Sequence, residues 1–245
     1  MPARSGATRR GVPAASGMCQ YLARSVVLEN TTGRAILSSV SATRRRRADG
    51  EQTRATILDA ATKLATVEGL DGLSIGRLAD HIGMSKSGLY AHFGSKEELQ
   101  LAAVDTATQI FVDNVIRPAG DADTALGRLE ALCENFFRYL ERPVFPGGCF
   151  FASATAELDT HPGPVRERLV QSLDGWLALI ERRVREAQDA GELDASENPA
   201  LLAFELDAFM KMGNSLRVLH GGRSGLAQAR SAIHARLERA RATKR

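Results

Sequence analysis

The sequence predicts an all-α protein, with a small N-terminal three-helix helix-turn-helix unit followed by a larger helical domain. Three observations carry that prediction. Apolar residues recur in steps of three and four from Ile57 to the C-terminus, and no stretch alternates apolar with polar in the manner of a strand. Ser and Gly stand where helices start and stop, as in Ser74, Gly83, Ser85 and Gly94. The composition is 44% hydrophobic but only 5% aromatic, which suits an aliphatic, alanine-rich interior. A chain of 245 residues is long enough for one large domain or two modest ones.

Residues 1–48 precede the periodic part and are read as a disordered basic N-terminal extension. They are rich in Ser, Ala, Gly, Thr and Arg, show no sustained apolar period, and end in the run Arg44 to Arg47. Nine Arg face Glu29 and Asp49 over residues 1–50, a net of +7, so the other 195 residues carry −4 of the whole-chain +3. Such a segment is either a basic arm that holds DNA phosphates by counterion release or a solvated tail. Its Arg-rich, acid-poor composition also matches a transit peptide, although it lacks a clear amphipathic helix.

From Thr53 the texture becomes helical, with Ile57, Ala61, Leu64 and Ala65 on one face and Gly69 as a stop. Asp71-Gly72 makes a turn, and Ser74 is placed to cap a short helix with Ile75, Leu78, Ala79 and Ile82 on one side, ending at Gly83. Ser85 is placed to cap the next, which runs to Phe93 with Leu89 and Phe93 turned inward. Two short helices joined by a glycine-containing turn are the helix-turn-helix arrangement. Ser85, Lys86, Ser87, Tyr90 and His92 are then left at the start and outer face of its second helix, and hydroxyls, a cation and amphipathic rings suit phosphates and base edges. Ser95 is placed to cap a fourth helix, where Lys96 and the free amides can clamp a phosphate.

Taken in order, these residues resemble a known family. Thr53-Arg54-x-x-Ile57-Leu58-x-Ala60-Ala61, Gly69, Leu78-Ala79, Gly83-Met84-Ser85-Lys86-Ser87-Gly88-Leu89-Tyr90-x-His92-Phe93 and Lys96-Glu97-x-Leu99 look like the DNA-binding domain of TetR-type transcriptional regulators. Met84 and Gly88 stand where many members have Val and Thr; the second removes a possible hydroxyl contact. The resemblance implies a helix-turn-helix DNA-binding domain over 49–98 and an effector-binding and dimerisation domain over 99–245. It implies Tyr90 and His92 on the DNA backbone, Ser85 to Ser87 near bases and Lys96 on a phosphate, with Arg54 and Ser74 as further DNA-binding positions. The implied partners are double-stranded operator DNA read as inverted half-sites, a small-molecule inducer and a second copy of the chain, the activity being that of a repressor. Residues 51–100 hold five Lys or Arg against seven Asp or Glu, so affinity depends on where Arg54, Lys86 and Lys96 stand.

Beyond 121 the expected helices are 122–141, one from near Pro164, 199–219 and 226–241, the second with the stripe Val165, Leu169, Leu173, Trp176, Ile180, Val184. Phe136, Phe137, Cys149, Phe150, Phe151, Trp176 and Met210 are the residues expected at an inducer pocket, or else they are core. Phe209, Leu216, Ile233 and Leu237 are the apolar choices for a dimer face, and each equally suits its own core. Cys149 sits at a loop-to-helix junction, where a helix start lowers a thiol pKa and burial makes it inert.

Other functions find less support. No run of about eighteen apolar residues offers a membrane span. Cys19, Cys133 and Cys149 form no CxxC, and with no secretory signal pattern they point to a reducing, cytoplasmic setting. The five His show no HxxxH, and no nucleophile elbow, phosphate loop or dinucleotide fingerprint occurs, so neither metal, cofactor nor enzymatic activity is expected. The alternative is an all-helical small-molecule-binding or enzymatic dimer without sequence-specific DNA binding.

Overall fold

The computed structural model describes residues 39–142 and 144–242, with side chains from Asp49 onward. Their regular structure is helical, save one isolated antiparallel bridge between Leu193 and Arg241. None of these helices is long and apolar enough to cross a membrane.

Helix α1 spans Ser39–Glu68 and buries Ile57, Ala61, Leu64 and Ala65, the face the periodicity indicates. It starts well before Thr53, so residues 39–48, expected in a disordered extension, are helical backbone, and residues 1–38 lie outside the described residues. Ala42, Arg44 to Arg47 and Ala48 are strong helix formers and no proline intervenes, so the helix continues N-terminally past its packed face. Helices α2 (Ile75–Ile82) and α3 (Lys86–Phe93) follow with the expected bounds. Gly83 ends α2 in the left-handed conformation at φ 70°, which glycine adopts without a Cβ clash, and its N–H donates to Ala79 O. Leu70, Leu73, Ile75, Leu78, Leu89 and Phe93 close a small core between the three helices.

Helix α4 (Lys96–Phe111) packs on α1 and on the long C-terminal helix Pro164–Asp189. The division expected between 98 and 99 therefore falls inside a continuous helix that both parts share. The helix widens to a π segment, Val112–Ile116, and tightens to a 3₁₀ turn, Arg117–Asp121. Pro118 lacks the N–H that the regular ladder needs and its ring crowds the preceding turn, which accounts for the break.

Four of the remaining helices match expectation in place: α5 (Ala125–Glu141), α7 (Pro164–Asp189), α8 (Pro199–His220) and α9 (Ser224–Ala240). Helix α6 (Phe150–Leu158) was foreseen only as a loop-to-helix junction at Cys149. Prolines open α7 and α8 at first-turn positions, where their missing N–H costs nothing. Helices α8 and α9 approach closely at two glycines. A Cβ on Gly213 would stand 2.7 Å from Ala229 Cβ, and one on Gly225 would stand 2.4 Å from Leu216 Cβ. Arg236 then ties α9 to Glu197 and to Glu205 of α8, while Arg230 ties it to Glu134 and Glu141 of α5.

Candidate nucleic-acid interface and effector cavity

The three expected serine caps are all present. Ser74 Oγ accepts from Arg77 N at 3.3 Å, Ser85 Oγ from Gly88 N at 3.1 Å and Ser95 Oγ from Glu98 N at 3.1 Å. They set the start of α2, α3 and α4, and with them the orientation of α3. Leu89 and Phe93 bury the inner side of α3 completely. Its start and outer side present Ser85, Lys86, Ser87 and Tyr90 to solvent, with His92 half-buried. Tyr90 is 56% exposed, which is unusual for so large a ring. The Lys86 stem lies against Gly76 of α2, close to where a Cβ would be.

The basic residues of this domain are mostly engaged already. Lys63 pairs with Asp59, Arg77 with Glu68 and Lys96 with Asp71. Arg54, expected to face DNA, turns inward: its guanidinium donates to His92 O at 2.5 Å and lies 4.3 Å from the Phe93 ring centroid. It braces the end of α3 instead. Lys96, expected on a phosphate, is held 2.9 Å from the Asp71 carboxylate, and Glu97 and Glu98 occupy the same helix start. That bond to Lys96 keeps the Asp71 carboxyl below its ordinary pKa. Lys86 and Arg54 are the Lys and Arg of 51–100 with no ion-pair partner among the described residues, and of the two Arg54 is already engaged by His92 O and the Phe93 ring.

A second site lies in the C-terminal part, a narrow cavity of about 40 Å3 between α4, α5, α6, α7 and α8. Of the expected pocket residues, Phe136, Cys149, Phe151 and Trp176 line it. Phe137, Phe150 and Met210 do not; they are buried elsewhere in the core. The rotation of α6 decides this, since adjacent residues on a helix point about 100° apart, and Phe151 takes the wall while Phe150 packs behind. Phe111, which the sequence did not single out, stands at the centre of the aromatic group. Its ring centroid is 5.0 Å from Trp176, 5.8 Å from Phe151 and 6.3 Å from Phe136, each edge-on. Asp207 closes one end, accepting from Trp176 Nε1 at 3.0 Å and pairing with Lys211 at 2.8 Å. Cys149 is buried and its thiol is pushed up by desolvation, so the helix start does not activate it. Cys133, also buried, is pushed up to about 12.

Helix α6 connects the two sites. Phe151, Ala152 and Thr155 face the cavity, while the Glu157 carboxylate accepts from Leu70 N at 2.6 Å and Asp71 N at 3.0 Å, in the turn before α2. Beside it Gly147 N donates to Thr66 Oγ1 at 3.1 Å, in a contact so close that a Cβ on Gly147 would fall 1.7 Å from Thr66 O.

On the far side, α8 carries an exposed apolar stripe made of Leu201, Phe204, Met212 and Leu219. The residues expected at a dimer face lie elsewhere. Ile233 and Leu237 are in the protomer's own core, and Phe209 and Leu216 are half-buried. No group of three His, Cys, Asp or Glu is placed to hold a metal ion among the described residues.

Comparison with known proteins agrees with this arrangement. Residues 57–103 match the family described as Bacterial regulatory proteins, tetR family, and residues 125–233 that described as Tetracyclin repressor-like, C-terminal domain. The chain is similar to the transcriptional regulator AcuR of Cereibacter sphaeroides, 24% identical over 63% of this chain and 71% of that protein. It is similar also to the HTH-type transcriptional activator FasR of Mycolicibacterium smegmatis, 32% identical over 37% of this chain and 42% of that one. A crystal structure of a TetR transcriptional regulator from Chloroflexus aurantiacus matches with a TM-score of 0.75 at 26% identity, over 80% of this chain and 100% of that one. These relatives are regulators of transcription, not enzymes.

Proposed function

Because the chain belongs to the TetR family of transcriptional regulators, we propose that it is a repressor that binds a palindromic operator as a homodimer and leaves it when a small-molecule inducer binds. The observation that carries the DNA-reading part is α3 itself, buried on one side and offering Tyr90 and unpaired Lys86 on the other. Ser85 and Ser87 stand beside them at the helix start, the part of a recognition helix that meets base edges. Ser74 caps α2, and Lys96 and His92 flank the same surface.

One such helix contacts too few base pairs for selectivity, and a two-fold pair doubles the reading. The stripe on α8 supports the pairing, because Leu201, Phe204, Met212 and Leu219 lie on one face in steps compatible with a helical seam. The small exposed residues Ala227, Ser231 and Ala235 of α9 permit close approach beside it.

Release follows from the size of the cavity. A space of about 40 Å3 is far below the roughly 300 Å3 or more of a ligand pocket, so any inducer enters by moving a wall. Helix α6 is one wall, and through Glu157 it holds the turn that positions α2 and α3. The inducer must favour the widened conformer, since equal affinity for both would shift nothing.

Selection of bound duplexes from a random pool tests this reading. An inverted repeat with half-site centres about one helical turn or a multiple of it apart is the expected product. Recovery without any common sequence would instead favour a ligand-binding dimer that lacks DNA selectivity.

A further inference from the structure

The chemistry of the cavity wall narrows the ligand. Its hydroxyl hydrogens are committed to their own helices. Thr108 donates to Val104 O at 2.8 Å, Thr155 to Phe151 O at 2.6 Å and Ser172 to Arg168 O at 2.9 Å. What these three side chains have left to offer is oxygen lone pairs. The Trp176 N–H is likewise committed, to Asp207. Asp207 is a nearly buried carboxylate, and its other oxygen meets Lys211, a residue whose side chain is 40% exposed and free to turn to solvent. The remainder is aromatic and aliphatic. Lys211 is the one cation of the wall, and it is already held by Asp207. The other polar groups accept hydrogen bonds, and the aromatic rings attract positive charge through their quadrupoles.

We infer that the cavity takes a lipophilic ammonium ligand, an apolar amine whose head group is held by Asp207 and whose body lies among Phe111, Phe136, Phe151 and Trp176. This rests on the reading of the cavity as the effector site. The incoming ammonium shares Asp207 with Lys211 or displaces it toward water. A carboxylate of the same size would meet three hydroxyl oxygens whose hydrogens point away and would have to draw Lys211 from Asp207, leaving one of the two carboxylates without its cation.

Trp176 is the chain's one tryptophan, so tryptophan fluorescence, excited beyond the tyrosine absorption, reports on this wall. The full-length protein, without DNA, is titrated with phenethylamine, with its longer phenylalkylamine homologues and with 3-phenylpropionate. The expected result is a saturable response to at least one amine, with the carboxylate about tenfold weaker or absent. Asp207→Asn, which still accepts from Trp176, should weaken amine binding about tenfold. Lys211→Met should strengthen it, because the competing cation is gone. Preference for the carboxylate, no response to any amine, or loss of amine binding in Lys211→Met would each overturn the inference. The DNA-binding reading is judged apart from it: a protein that selects an operator but ignores amines loses only the ligand class, and one that binds amines but selects no operator loses only the repressor.

Discussion

At the scale of single residues, Tyr90, Lys86 and Arg54 of the helix-turn-helix domain have separable roles. Replacing Tyr90 by Ala removes an exposed ring with no part in the core, so the fold should survive while affinity for every duplex falls by about tenfold or more. Anisotropy titration checks this, and unchanged affinity in a folded variant would move the DNA-reading face elsewhere. Lys86→Ala should lower the slope of log affinity against log salt by about one per protomer, the signature of a lost phosphate contact. Arg54→Ala should instead cost about 1–2 kcal/mol of stability, seen in urea unfolding, because a charge-assisted bond to His92 O and the stacking on Phe93 are lost together. The serine caps were legible from sequence since a cap needs only a hydroxyl three residues before an available amide. The role of Arg54 was not, because its partners lie 38 residues away and only the folded turn brings them together.

Among elements, α9 is held by charge on two sides and by close packing on a third. Arg230 holds the Glu141 carboxyl below its ordinary pKa, chiefly through their hydrogen bond. A depressed folded pKa adds stability above the unfolded value of about 4.3, and the gain is lost as pH falls through the folded value. Glu141→Gln should therefore lower the melting temperature at neutral pH, by an amount corresponding to about 1 kcal/mol for this partly exposed pair, and the gap to the parent should close below about pH 4. A gap of constant size at all pH would assign the loss to packing. Helix bounds were legible wherever a cap, proline or glycine marked them, as at Ser74, Gly83 and Pro164. The early start of α1 and the π segment before Pro118 were not, since both depend on how far a helix persists beyond its packed residues. On α8 the sequence offers two apolar stripes, Leu202, Leu206 and Met210 against Leu201, Phe204, Met212 and Leu219, and periodicity alone does not say which faces the protomer's own core.

The whole molecule carries three candidate sites: the outer face of α3, the cavity and the apolar stripe on α8. Phe204 is 63% exposed and Leu219 77%, so charging the stripe with Phe204→Glu should leave the protomer folded but monomeric by light scattering, and operator affinity should fall with it. Glu157→Gln tests the connection between cavity and reading helix; the duplex should still bind, but an amine that fills the cavity should displace it less effectively than in the parent. Four Gln in place of Arg44 to Arg47 should reduce the salt slope further if the start of α1 reaches phosphates. The order of domains was visible in the sequence because local caps and apolar steps specify it, whereas the cavity was visible only in part because its walls come from five helices. The most direct test of the central claim is a salt titration of the purified protein against the duplex flanking its own gene, with a scrambled duplex of equal length beside it. Tight, sequence-selective binding that weakens as salt rises is the predicted result; equal, weak binding to both duplexes would contradict it.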